Sequence, residues 1–339
     1  MPDALPHASP AQPFAPQVVL LTMFEPAEGP PGEFAAFREA EQLRPWLPLP
    51  GGHTGLWANP RGLLATITGI GTAHAASSVM ALGLDPRLDL RHTTFLLAGI
   101  AGINPARGSL GSVAWARYVV DADLAHEIDP REMPADWPDG RFPLGSAHPA
   151  TVPAPAHGDL FTRDETYELD SARVDWAYDL TRDLDLSTFD TPGLAAFRSR
   201  YQAFPAACRP PAVMRGDLLA GSRFWHGQLG NRWADAWVAQ WTAGKGSFVT
   251  SAMEENGALR AFRRLHDAGR VDFQRILVLR AGSNFTMPPA DGTSALASLT
   301  GHATGSSAMY PGYDPARLAL QRVASVVIHA LLDGPSGHG

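Results

Sequence analysis

Three observations predict an α/β layered fold. Short β-branched, apolar runs suited to buried strands recur along the chain. Glycine-rich segments follow two of them directly, and stretches with apolar residues at three-to-four spacing lie between. Taken in order, Val18–Met23 reads as the first strand and Phe34–Leu43 as a helix. The Pro45–His53 stretch reads as turn. Leu63–Thr68 is a second strand ending at Gly69-Ile70-Gly71, and Thr72–Leu82, rich in Ala, Ser and Met, is a helix starting at those glycines. Thr94–Leu97 is a third strand running into the turn Ala98-Gly99-Ile100-Ala101-Gly102, and Gly111–Val120 is a strand after it. Beyond the middle of the chain the pattern returns. It gives a short strand at Ala212–Arg215, a helix at Arg232–Trp241, a strand at Phe248–Thr250 and a helix at Gly257–Asp267. The strand Arg275–Ala281 and a last helix from about Pro315 to Leu332 complete it.

The middle, 121–209, differs. Asp129–Phe142 mixes prolines with acids, Ala147–His157 is a proline-rich loop, and Asp170–Arg182 and Leu194–Tyr201 are helical. It reads as an insertion beside the sheet. Residues 1–16 hold five prolines and little apolar content, which predicts a disordered arm and not a signal peptide. The expected organisation is that arm followed by a single domain over 17–333.

Composition narrows the function classes. In 339 residues, 45 % are hydrophobic and 18 % charged, with a net charge of −7 and no run of Lys or Arg. That composition folds, and it lacks the basic face a nucleic-acid binder needs. The longest apolar runs, such as Thr93–Ile103 and Val323–Leu332, fall far below the ~18 to 20 residues that cross a bilayer, which excludes a membrane channel or transporter. Cys208 stands alone, so no intrachain disulfide forms, and no Cys/His pair has zinc-ligand spacing. No metal or cofactor is expected. The 33 glycines and 30 prolines exceed the usual ~12 % and point to a site built on shaped loops. The compartment stays open, because a secreted protein that had lost its leader would look the same.

Four segments can carry chemistry. Gly69-Ile70-Gly71-Thr72 ahead of a helix offers backbone amides to an anion, although His74 stands where the third glycine of a dinucleotide fingerprint belongs. Ala98–Gly102 can face the same pocket from a neighbouring strand end. Met253-Glu254-Glu255-Asn256-Gly257 places an acid where it can either cap a helix or accept bonds from sugar hydroxyls. Arg280-Ala281-Gly282-Ser283-Asn284-Phe285 presents uncharged donors and acceptors at a strand end, with Arg280 as anchor. Neither Gly-x-Ser-x-Gly nor His-Glu-x-x-His is present.

In this order the segments resemble the nucleoside phosphorylase/nucleosidase superfamily, and within it the purine nucleoside permease family. The closer resemblance rests on Thr22-Met23-Phe24-Glu25-Pro26, His126 to Glu132, Arg215-Gly216-Asp217, and Arg223-Phe224-Trp225-His226-Gly227. Ala252 to Gly257 and Leu279 to Phe285 complete it, over about Gln17 to His329. The resemblance implies a three-layer α-β-α nucleoside phosphorylase-like fold around a central mixed, partly closed sheet. It also implies cleavage of the N-glycosidic bond of a nucleoside, through an oxocarbenium-like sugar.

Residue by residue, it implies that Glu254 binds the ribose hydroxyls and Met253 packs on the sugar. Asn284 falls where adenine-type members carry an aspartate, which favours a 6-oxopurine; Ser283 orients it and Arg280 supports it. Glu25 lies near the position of a water-activating glutamate. Gly71, Thr72, Gly99 and Ile100 mark the nucleophile or phosphate site. A serine usually stands at Ile100, and the Gly-Asp-Pro-x-Arg phosphate motif is absent, so hydrolysis is favoured over phosphorolysis. Phe224 and Trp225 can stack on the base, or Trp225 can belong to the core. Asp129 and Arg131 can form a salt bridge worth ~0 to 1 kcal/mol. The expected partners are a purine nucleoside, phosphate in the phosphorylase case, and a second copy of the chain. The alternative is a non-catalytic nucleoside-binding protein that assists uptake.

Overall fold

The structure is a computed structural model, which describes residues 4–149, 165–300 and 312–334. Of the proline-rich Ala147–His157 loop, 150–157 lie outside the described residues.

Its centre is a mixed sheet whose inner strands read as unbroken apolar runs because both faces are covered. β1 (Val18–Thr22) is buried at every position and lies parallel between β4 (Leu64–Ile67) and β5 (Thr94–Ile103). β5 also pairs parallel with β14 (Ile276–Phe285) along its length, and antiparallel with β13 (Phe248–Ala252) at its far end. The sheet therefore branches at β5. One arm runs through β4 and β3 (Leu56–Ala58) to β2 (Arg44–Leu47). The other runs through β13, β12 (Asp217–Ala220) and β7 (Tyr118–Asp121) to β10 (Thr166–Glu168). β14 also carries β6 (Val113–Trp115), which pairs with β11 (Val213–Arg215). The mixed sheet is as expected, but it does not close: β2 and β10 are edges among the described residues.

Helices cover both faces. α1 (Glu33–Ala40) and α3 (Ser171–Thr181) pack on the C-terminal helix, while α2 (Thr72–Leu84) packs on the helix that follows β13. α4 (Pro192–Arg198), α5 (Gln228–Trp241), α6 (Glu255–Asp267), α7 (Ala295–Thr300) and α8 (Tyr313–Asp333) complete the set among the described residues. α2 and α6 approach so closely that a Cβ on Gly257 would lie 2.1 Å from the carbonyl oxygen of Thr72.

Several expectations need correction. The glycines of Ala98–Gly102 form no turn: β5 runs straight through to Ile103. β14 likewise continues past Ala281 to Phe285. Glycine is required there because other side chains cross the strand face. Gly111–Val120 is broken into β6 and β7, and the first residues of the Pro45–His53 stretch, expected as turn, belong to β2, where Pro45 is tolerated on an edge strand. The 121–209 region does not stand beside the sheet, since β10 pairs antiparallel with β7; β8 (Ala125–Glu127) and β9 (Arg141–Pro143) form a hairpin there.

The supposedly disordered arm is tied down. Phe14 exchanges backbone hydrogen bonds with Arg87 and Asp89 (2.9 Å each) and sets its ring 5.5 Å from that of Trp46. The Trp46 indole donates to the Pro6 carbonyl (2.8 Å), and Thr93 Oγ1 donates to Pro16 (2.7 Å). One aromatic and backbone bonding do what bulk apolar content does elsewhere.

Gly257→Ala should destabilise the protein by about 2 kcal/mol or more, since the methyl meets backbone that cannot rotate away. Urea unfolding monitored by fluorescence would show it as a lowered midpoint with unchanged slope.

Candidate active site

The pocket forms where β5, β13 and β14 converge. Gly102 is opposite Ser251 in one ladder and opposite Asn284 in the other. The β14 register slips between Gly282 and Asn284, so Ser283 is an extra residue, and such a bulge re-aims the side chains beside it. Here it sends Asn284 to a cavity of about 150 Å³ that Ser283, Met253, Glu254, Ile100 and Ser251 also line. Ile70 and Phe224, 48 % and 46 % exposed, line it as well and stand at its mouth.

Below it lies an unusual charge arrangement. Arg280, on β14, is buried, yet it meets two carboxylates from adjacent residues. Its Nη2 donates to Glu254 Oε2 (2.9 Å), its Nε donates to Glu255 Oε1 (2.5 Å), and its Nη1 donates to the Ile100 carbonyl (2.8 Å). The three carboxylates around it push its pKa up, against the effect of burial. This explains Gly99: a Cβ there would sit 2.3 Å from Arg280 Nη1. Glu254 accepts the Gly71 N–H (3.2 Å) and the Met253 N–H (3.2 Å) as well.

The third carboxylate is Glu33, at the start of α1, and sequence reasoning missed it. Its Oε2 accepts from the amides of Met23 (2.8 Å) and Phe24 (3.1 Å), and its Oε1 from that of Ile100 (2.7 Å). Full burial lifts its pKa from 4.5 to about 7; Arg280 opposes the rise and Glu254 adds to it. The three amides cannot accept a proton, so the acid form must carry its hydrogen on the free side of an oxygen. The signal for Glu33 was weak: an acid in a helix's first turn usually serves the helix alone.

Other expected residues fall as follows. Asn284 is nearly buried; it accepts from Ser283 Oγ (3.1 Å) and donates one amide N–H to the Phe285 carbonyl (3.2 Å), which leaves its second N–H. Ile100 and Met253 reach the cavity. Glu25 does not. Its carboxylate accepts from the amides of Gly32 (3.1 Å) and Ala35 (2.8 Å), closing the loop into α1, so it shapes the segment that carries Glu33. Trp225 turns away too and packs with Phe248 and Trp233 in a separate aromatic cluster, at 5.9 and 6.4 Å between ring centroids. Gly99 lies behind the wall under Arg280. The expected phosphate amides at α2 have protein partners: Gly71 N–H points to Glu254, and Thr72 N–H to Ser222 Oγ (3.2 Å). Asp129 and Arg131 do pair, at 2.6 Å, on the surface.

A family model described as purine nucleoside permease matches residues 15–336. The chain belongs to the purine nucleoside permease family. Among curated relatives, a probable purine nucleoside permease of Schizosaccharomyces pombe is 34 % identical over 245 residues, 69 % of this chain and 68 % of that one. A purine nucleoside permease of Candida albicans is 33 % identical over 66 % of this chain, and the match spans only 54 % of its length. The fold is that of nucleosidases. A 5′-methylthioadenosine/S-adenosylhomocysteine nucleosidase from S. pneumoniae superposes with a TM-score of 0.53 at 15 % identity, over 94 % of this chain and 98 % of its own. A futalosine hydrolase mutant of Helicobacter pylori gives 0.51 at 13 % identity, over 93 % and 99 %. Among the described residues of this family member, no helix is long and apolar enough to cross a membrane.

Because Glu33 binds its proton more tightly when folded, the folded state carries the extra proton between pH 4.5 and about 7. Its contribution to stability therefore falls as pH rises through that window, by roughly 3 kcal/mol at 1.36 kcal/mol per pH unit. Glu33→Gln should flatten the decline of unfolding free energy over that range, whatever constant offset its amide introduces against the three N–H donors. An unchanged slope in denaturation series at stepped pH would contradict this.

Proposed function

We propose that this protein hydrolyses the N-glycosidic bond of purine nucleosides, with 6-oxopurines preferred. The observation that carries the reading is the convergence of Glu33, Glu254 and Asn284 on one cavity. Glu254 accepts hydrogen bonds from the 2′- and 3′-hydroxyls, and Met253 packs on the ribose. The second N–H of Asn284 holds the base. As the C1′–N9 bond breaks, its electron pair leaves with the base, which the Asn284 donor stabilises and solvent protonates. A water held by Glu33 adds to C1′ and gives up its proton to that carboxylate. The anionic wall favours the cationic sugar that forms between these events. A base that titrates near pH 7 suits this task.

Water is favoured over phosphate because, among the described residues, the pocket keeps no unspent cation. Arg280 is bonded to carboxylates, and the α2 amides are occupied. The resident charge is negative, so a phosphate dianion would be repelled. The relatives' description as permeases favours a second reading, in which the protein binds nucleosides for uptake without cleaving them. Glu254 and Asn284 would serve both; only the first reading uses Glu33.

Incubation of the purified protein with inosine, guanosine, adenosine and uridine, with and without phosphate, separates these readings. Free base and ribose are expected in both conditions, with inosine and guanosine turned over fastest. Ribose 1-phosphate would mean phosphorolysis, and binding without cleavage would leave the uptake reading. Glu33→Gln should lower kcat by ~100-fold or more while the Kd for inosine stays within about threefold. Glu254→Gln should weaken binding, and Glu25→Gln should retain turnover. The wild-type kcat should rise with pH through about 7 as Glu33 loses its proton, and that limb should vanish in Glu33→Gln.

A further inference from the structure

Glu255 is used by neither reading, yet its full burial with one oxygen unpartnered is costly. It is wholly buried at the first position of α6, and only its Oε1 is bonded to Arg280. Its Oε2 has no hydrogen-bond partner among the described residues. An unpaired buried carboxylate oxygen is destabilising, and a neutral side chain would hold Arg280 through one oxygen as well. Two carboxylates already face this guanidinium, Glu254 by direct bond and Glu33 through its field, so Arg280 does not need a third for neutrality. What Glu255 adds is negative charge, placed so that it competes for the cation.

Resting on the hydrolase reading above, we propose that Glu255 is a positioning residue that draws the Arg280 charge toward itself. Glu254 thereby stays a strong acceptor for the sugar hydroxyls, and Glu33 stays basic enough to take a proton from water. The geometry divides the guanidinium: Nε and Nη2 face Glu255, Nη2 also reaches Glu254, and Nη1 is held by the Ile100 carbonyl. That carbonyl fixes the residue whose amide donates to Glu33. Without the Glu255 charge, Arg280 would be shared between Glu254 and Glu33 alone. Both would become weaker acceptors, and Glu33 would titrate at lower pH. The charged and titratable groups acting on Glu33 are Arg280 from β14 and Glu254 ahead of α6. Tyr313 from α8 also lies in its field; its pKa is pushed up to about 12 by burial, so it stays neutral, and it donates to the Pro31 carbonyl (2.8 Å).

The test compares wild type with Glu255→Gln and Glu255→Asp. Glutamine keeps an oxygen for Arg280 Nε and removes only the charge; aspartate keeps the charge on a shorter arm. For inosine cleavage, Glu255→Gln should lower kcat about tenfold or more while KM changes less than threefold. It should also move the rising limb of the pH profile about one pH unit lower. Glu255→Asp should restore the wild-type position of that limb. A merely structural salt bridge would leave the limb in place in all folded variants, and that result overturns the proposal. The proton affinity of Glu33 is also read without substrate, as the difference in stability-versus-pH slope between each protein and its Glu33→Gln counterpart. If no nucleoside is cleaved, the hydrolase reading fails while this difference still decides the positioning role. If Glu255→Gln does not fold, the aspartate variant carries the test: a Glu33-dependent slope displaced from its wild-type pH overturns the proposal.

Discussion

One buried guanidinium organises the centre of this molecule. Arg280 lies beneath the cavity with Glu254 and Glu255 bonded to it and Glu33 in its field. Placing charges out of water is expensive, and a group of this kind persists only where partners come from several elements at fixed positions. Here they do: β14 supplies the arginine, the β13–α6 junction two acids, α1 the third, and β5 a carbonyl. If all four side chains were ionised the group would carry two net negative charges; burial raises the pKa values of both Glu33 and Glu255, but the direct bond to Arg280 holds the charge on Glu255, so the proton falls to Glu33.

The backbone yields to this arrangement. β5 passes so near Arg280 that only glycine fits at Gly99, and the extra residue at Ser283 lets β14 stay paired with β5 while Asn284 turns to the cavity. Glu254 and Glu255 sit at the start of α6, where the positive end of the helix offsets part of their cost. On the outer side α6 is held against α2 with no room for a Cβ at Gly257. The acidic wall, the α2 start and the pocket mouth are thus parts of one closely packed junction. Ile70 and Phe224, left exposed at its rim, are the apolar surface a ligand would cover.

Much of this could be read from the chain. The strand and helix order was legible because buried strands and amphipathic helices leave periodic traces, and the site segments at Met253–Gly257 and Leu279–Phe285 are short and contiguous. Glu254, Asn284, Ser283 and Met253, which these segments carry, line one cavity with Ile100. Misreadings arose where one residue type serves two ends. Glycines read as turns were strand residues making space for a side chain from elsewhere. Prolines read as disorder marked an arm held by backbone bonds and a single aromatic contact.

The sequence by itself determined the layered fold, the family, and which strand ends carry polar groups, because these depend on local pattern and on residues adjacent in the chain. Only the tertiary structure decided which acid faces the cavity. Glu25 and Glu33 are eight residues apart and chemically identical. Glu25 spends its oxygens on the amides at the start of α1, and in doing so turns Glu33 inward to Met23, Phe24 and Ile100. The same holds for Phe224 and Trp225, neighbours sent to opposite sides of one loop. Side-chain direction in a loop is set by which distant amides and rings it meets, and no local pattern encodes that.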